Sequence, residues 1–182
     1  MIEIRALRAS DDRSLFRSGD ADLDRFFHHF AGQNQFRHHI GVTYVAVDGP
    51  SVLAFATVAA AQLEVDDLPD VVRRKLPRYP LPVLRLARLA VDQSAQGQGL
   101  GLQLLRFVLR LALQMADVYG CVGVVVDAKP DAEAFYAKYG FVAVEAVEGR
   151  SDARPAPTPM FLSCRAIRDA VDHPHPHGKE GG

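Results

Sequence analysis

Residues 84–126, LRLARLAVDQSAQGQGLGLQLLRFVLRLALQMADVYGCVGVVV, decide the fold. Residues 84–91 read as a strand, residues 92–101 as a polar, glycine-containing turn, and residues 102–118 as a helix rich in Leu, Val, Phe and Ala. A helix apolar around most of its circumference is expected to pack between other layers. Gly120 stops it. Residues 122–126 form an uncharged β-branched run, the pattern of a central parallel strand. Two parallel strands need such a crossover. Outward from this unit, residues 2–7 alternate as a first strand, and Asp20 or Asp22 can cap a helix running to about residue 33, with Leu23, Phe26, Phe27 and Phe30 on one face. Strands at 42–47 and 52–59 flank a hairpin turn at 48–50. Short helices are expected at 66–75 and 131–139, the second closed by Gly140, and last strands at 141–145 and 159–164. The result is an α/β (α+β) domain with a mixed sheet and helices on both faces.

The 182 residues fit a single domain. Hydrophobic residues make up 48% and charged residues 24%, ordinary for a globular protein, and the formal net charge of −1 points to no partner by itself. Two cysteines, Cys121 and Cys164, sit among apolar neighbours and give no disulfide framework, which favours a reducing cytoplasm. The N-terminus lacks a signal-peptide core, and no stretch is long enough to span a bilayer.

The turn QGQGLG, residues 96–101, carries the chemistry. Glycines at 97, 99 and 101 allow positive φ and close approach of a ligand to the backbone. Between a strand and a helix N-terminus, several N–H groups can converge on an anion. A P-loop would need GxxxxGK and Ser or Thr, and no such lysine is present; a dinucleotide fingerprint needs GxGxxG, whereas this turn is GxGxG. The pyrophosphate-loop pattern Q/R-x-x-G-x-G/A fits at Gln96, Gly99 and Gly101. A plain strand-to-helix turn also fits the motif taken alone.

Downstream, DAEAFYAKYGF places Ala132, Phe135, Tyr136, Gly140 and Phe141 in the pattern A-x-x-F-Y-x-x-x-G-F. With both motifs one helix and one strand apart, the chain resembles the GNAT N-acetyltransferase superfamily. SGDADLDRFF at residues 18–27, QNQ at 33–35, the proline-broken basic stretch and RLAVDQSAQGQGLG resemble, over about residues 1–168, a toxin subgroup that acetylates the free amine of aminoacyl-tRNA. The resemblance implies a mostly antiparallel sheet with a central, splayed parallel pair. It implies acetyl-CoA as cofactor, held by Gln96, Gly97, Gln98, Gly99, Leu100 and Gly101, by backbone groups of Leu89, Ala90 and Val91, and by Phe135. It implies a ribbon-helix-helix antitoxin and a homodimer as partners, and Tyr136 as general acid toward the departing thiolate. Read from the sequence alone, Tyr136 can equally be a packing residue beside Phe135. An α-amine, with a reference pKa near 7.7–8.0, is an easier acceptor than a lysine side chain near 10.4.

Between residues 71 and 91 every charge is basic. Arg73, Arg74, Lys75, Arg78 and Arg88 are candidate tRNA contacts, with salt bridges to Asp66, Asp67 and Asp70 the competing reading and the cofactor cleft an alternative place for Arg88. A second acid-free stretch, residues 25–40, carries Arg25, Arg37 and His28, His29, His38 and His39. The tail, residues 169–182, with its HPHPH string, is expected to be disordered and without a metal role. Three activities remain open: an aminoacyl-tRNA acetyltransferase toxin, a GNAT enzyme for a small amine or protein, and a non-catalytic acyl-CoA-binding regulator.

Overall fold

The computed structural model describes residues 1–68, 70–78, 80–144 and 156–172. Seven strands form one sheet in the order β1-β2-β3-β4-β5-β7-β6. They are β1 (Ile2–Ala6), β2 (Val42–Asp48), β3 (Ser51–Leu63), β4 (Leu81–Val91), β5 (Gly123–Ala128), β6 (Val142–Ala143) and β7 (Thr158–Ser163). Every neighbouring pair is antiparallel except β4–β5. The helices are α1 (Ala21–His29), α2 (Ala31–Phe36), α3 (Asp70–Arg73), α4 (Leu100–Val118), α5 (Glu133–Lys138) and α6 (Cys164–Asp172). Residues 84–126 thus form the β4–α4–β5 crossover read from the sequence.

Local chemistry sets several boundaries. Asp20 caps α1, accepting the N–H groups of Asp22 (3.0 Å) and Leu23 (3.2 Å). The expected helix over 20–33 is two helices, broken at Phe30, whose side chain faces solvent instead of joining Phe26 and Phe27 in the core. Gln35, the last residue of the QNQ element, joins β1 to β2 by donating to Leu7 O (3.1 Å) and accepting from Thr43 N (2.9 Å). The stretch 66–75 holds a 3-10 turn, Val65–Asp67, and one turn of helix, α3. The strand expected at 159–164 ends at Ser163, and the chain turns directly into α6, which runs through Asp172 with Cys164 and Ile167 buried. This helix extends beyond residue 168, the expected end of the ordered domain. The HPHPH string and residue 145 lie outside the described residues.

The core lies on both sheet faces. α4 buries Leu100, Leu104, Leu105, Val108, Ala112 and Met115 along one stripe, against Leu84, Leu86, Val124 and Val126. On the other face Phe16, Phe26, Phe27 and Phe55 pack together, Phe27 stacked on Phe55 at 4.3 Å between ring centroids.

A bulge in β4 shapes the centre. Thr57 faces Arg88 and Val58 faces Leu86, so Ala87 is an extra residue. One extra residue inverts the side-chain alternation that follows it. Leu84 and Leu86 lie on the α4 face, and beyond the bulge Leu89 and Val91 do too. Arg88 turns to the opposite face, where its guanidinium lies 3.7 Å over the Phe26 ring.

Candidate active site

The parallel pairing of β4 and β5 covers only Leu84–Val124, Arg85–Val125 and Leu86–Val126. At the bulge the strands part, while β4 continues to Val91 and β5 to Ala128. The gap is a cleft of about 210 Å³ whose lining includes Arg88, Leu89, Val91, Gln96, Asp127 and Tyr136. Asp92 N donates to Leu53 O on β3 at 2.8 Å. Backbone groups of successive antiparallel residues point to alternate sides. Ala90 therefore faces β3 with Asp92, while Leu89 and Val91 present their amides to the cleft.

At the end of β4 the chain enters the glycine turn. Gly97 and Gly99 have φ of 79° and 82°, the left-handed region that favours glycine. Gly99 is the N-cap of α4 and offers no side-chain cap. Among the described residues, the N–H groups from Gln98 to Leu102 find no protein acceptor. A Cβ at Gly97 or Gly99 would point into open space, whereas one at Gly101 would lie 3.8 Å from Val91 Cγ2. Unpaired amides facing open space at a helix N-terminus suit a diphosphate. The Gln96 side chain serves the scaffold: its Nε2 donates to Ser18 O (2.8 Å) and Val91 O (3.0 Å).

Tyr136, on α5, is 6% exposed and packs edge-on against Phe135 (5.2 Å) and Phe141 (5.5 Å). Burial, with the negative charge of Asp127, raises its hydroxyl well above the ordinary phenol value, so it stays protonated. No protein group among the described residues hydrogen-bonds that hydroxyl. Phe135 is half-buried between Tyr136 and Tyr139 and is not part of the cleft lining.

The cleft also holds charges that motif reading missed. Asp127 follows the apolar run of β5; its Oδ2 accepts from Arg85 Nε (2.8 Å) and forms an ion pair with Arg85 Nη2 (2.6 Å). Lys129 Nζ donates to Asp20 Oδ2 at 2.6 Å, fastening the loop after β5 to the start of α1. Burial raises the Asp20 carboxyl, but the Lys129 contact and the capped N–H groups outweigh it and leave it below its ordinary value. Burial also lowers the Arg88 guanidinium from its ordinary value. A lone charge directly after a β-branched strand was the available sequence signal for Asp127.

The basic segment lies elsewhere. Arg73, Arg74, Lys75 and Arg78 are exposed, on and after α3. Arg73 pairs with Asp70 at 2.5 Å. Arg88 is apart from them, inside the cleft.

A mostly antiparallel sheet with one splayed parallel pair, joined by a glycine turn and a crossover helix, is the GNAT fold. The acetyltransferase (GNAT) domain family matches residues 39–143. The chain is 36% identical over 138 residues to a tRNA-acetylating toxin of Mycobacterium tuberculosis (strain ATCC 25618 / H37Rv), covering 75% of this chain and 82% of that protein. Its structure is similar to that of a tyrosine-to-phenylalanine mutant of KacT (TM-score 0.80, 26% identity, 92% of this chain and 98% of that one). It is also similar to AtaTR bound with AcCoA (TM-score 0.74, 26% identity, 93% and 98%). The chain belongs to the GNAT acetyltransferase family and is an N-acetyltransferase that uses acetyl-CoA. Among the described residues, no helix is long and apolar enough to cross a membrane.

Proposed function

We propose that this enzyme transfers an acetyl group directly to the α-amine of an aminoacyl-tRNA and acts as the toxin of a toxin–antitoxin pair. The observation that carries the chemical part is the cleft that Leu89, Val91, Gln96 and Tyr136 line together, with the unpaired amides of residues 98–102 following directly along the chain. In this reading the amides of Gly97, Gln98, Gly99, Leu100 and Gly101 hold the diphosphate, with Gln96 bracing the turn. Leu89, and Val91 through its N–H, offer backbone groups to the pantetheine amides as an added strand would, and Ala90 holds the strand against β3. Phe135 supports the tyrosine from behind.

Acetyl-CoA, when bound, supplies the acetyl thioester. Tyr136 keeps its proton in the resting site and delivers it to the departing sulfur, while the proton shed by the attacking amine passes to water and the tyrosine regains one from solvent. An α-amine has a useful neutral fraction near pH 7, so the chain need not carry a strong base.

The choice of aminoacyl-tRNA rests on the toxin relative, identical at 36% of positions over most of its length, and on charge. Arg74, Lys75 and Arg78 are exposed and have no acidic partner among the described residues, which suits phosphate contact. Arg73, tied to Asp70, contributes less, and Arg88 acts at the acceptor end inside the cleft. A ribbon-helix-helix antitoxin, a homodimer and a cytoplasmic location complete the reading.

The test is expression with and without Tyr136→Phe. Wild type should arrest growth and acetylate aminoacyl-tRNA in vitro. The variant should restore growth and lose roughly 10²–10⁴-fold in turnover while still binding acetyl-CoA. Free-amine turnover without arrest would instead favour a small-amine enzyme.

A further inference from the structure

We propose that Asp127 is the anchor of the acceptor amine, accepting one of its N–H groups at Oδ1 and thereby aiming the nitrogen lone pair at the thioester. This deepens the function proposed above, and rests on it only for the identity of the acceptor.

Three observations carry it. Asp127 is the first β5 residue beyond the parallel pairing, so it stands at the apex of the splay. Its side chain is only 7% exposed, yet it lines the cleft shared by Leu89, Val91 and Tyr136. Its two oxygens also differ: Oδ2 takes the hydrogen bond and the ion pair from Arg85, whereas Oδ1 has no protein partner among the described residues. Oδ1 is not a sealed, unsatisfied atom either. A buried carboxylate with one oxygen tied down and the other open to a cleft is an oriented acceptor for a ligand N–H.

Arg85, which is not part of the cleft lining, compensates Asp127, while Arg88 and Lys129 share the lining with Asp20, Asp127 and Asp131. Cations and carboxylates balance there, so the cleft does not concentrate ammonium, and Oδ1 orients the neutral amine, the form that attacks. The Asp127 charge has a second effect, helping to keep the Tyr136 proton in place.

Asp127→Asn is the informative substitution. The asparagine carbonyl is drawn to the Arg85 guanidinium, leaving an NH₂ donor facing the cleft where an acceptor is needed. Acetyl transfer should be measured with aminoacyl-tRNA and with a small amino-acid ester, and acetyl-CoA uptake by calorimetry. The expected result is a fall of about 10- to 100-fold in kcat/KM for both acceptors, the loss of one charge-assisted hydrogen bond, with acetyl-CoA affinity within about twofold. Unchanged kcat/KM, or a parallel loss of acetyl-CoA affinity, would overturn the proposal. If the single variant does not fold, the double variant Asp127→Asn/Arg85→Gln removes the Arg85 charge as well and is held to the same criteria. A wild type that acetylates the ester but not the tRNA would refute the tRNA assignment and leave the Asp127 comparison intact.

Discussion

Replacing Gly99 and Gly101 separately with alanine asks whether the turn is an anion cradle or only a bend. At Gly99 the φ of 82° costs an L-residue about 1–2 kcal/mol. A Cβ there meets no protein atom within 4 Å, so the penalty is one of backbone conformation. The amides around Gly99 have no protein partner to hold them, so the free protein can relax the turn. Binding must then restore it, and the penalty falls on ligand affinity: 1–2 kcal/mol corresponds to about 5- to 30-fold in Kd for coenzyme A. Global stability should change by less than about 1 kcal/mol, since alanine also restricts the unfolded chain. Gly101, by contrast, is helical, and its Cβ would sit in ordinary contact with Val91 Cγ2 at 3.8 Å. Alanine there should leave Kd within about twofold and stabilise the helix by about 0.5–1 kcal/mol, raising Tm by about 1–4 °C. Titration calorimetry with coenzyme A and thermal unfolding of both variants are the measurements. If Gly101→Ala weakens binding as much as Gly99→Ala, or Gly99→Ala binds like wild type, the turn is only a bend and not an anion cradle.

Three further outcomes follow from the same structure. Gln96→Ala removes the hydrogen bonds to Ser18 O and Val91 O; coenzyme A affinity should fall by about 3- to 10-fold, the value of one net hydrogen bond at an exposed site, and an unchanged Kd would show that the turn stands without its brace. The Arg5 hydrogen bonds hold the Asp11 carboxyl below its ordinary value despite burial. Its stabilisation should therefore be complete above the unfolded carboxylate value, about 3.9, and disappear as pH falls through the lower folded one; acid unfolding of Asp11→Asn should lose this part of the pH dependence. Charge reversal at Arg74 and Lys75 should weaken tRNA binding and flatten its salt dependence, the slope in log[salt] dropping by about one per lost phosphate contact; an unaltered slope would place the tRNA elsewhere.

Periodicity and punctuation carried most of the architecture. The β4–turn–α4–β5 unit was readable because its strand, glycine turn, apolar helix and β-branched strand each have their own pattern. What escaped depended on tertiary contact. β4 begins at Leu81, ahead of Pro82, because a strand's first residues tolerate a proline. The Phe30 break is invisible to a pattern in which every phenylalanine counts as core. α6 follows β7 with no intervening turn residue, although Cys164, Ile167 and Val171 have helical spacing. In the site, the glycine turn and Tyr136 were legible as motif. Asp127, Lys129 and Asp20 were not, because their meaning comes from partners distant in the chain, with Asp20 and Lys129 separated by 109 positions.

Asp20 has two duties with one carboxylate: Oδ1 starts α1 and Oδ2 latches Lys129 across the mouth of the cleft. The first helix therefore cannot lift from the sheet without unlatching the loop that leads to Tyr136. By reciprocity, a ligand that prefers the latched arrangement steadies α1 as strongly as an intact α1 favours that ligand. A lesion at the amino-terminal end of the chain would thus register as poorer uptake at a site built mostly from its second half.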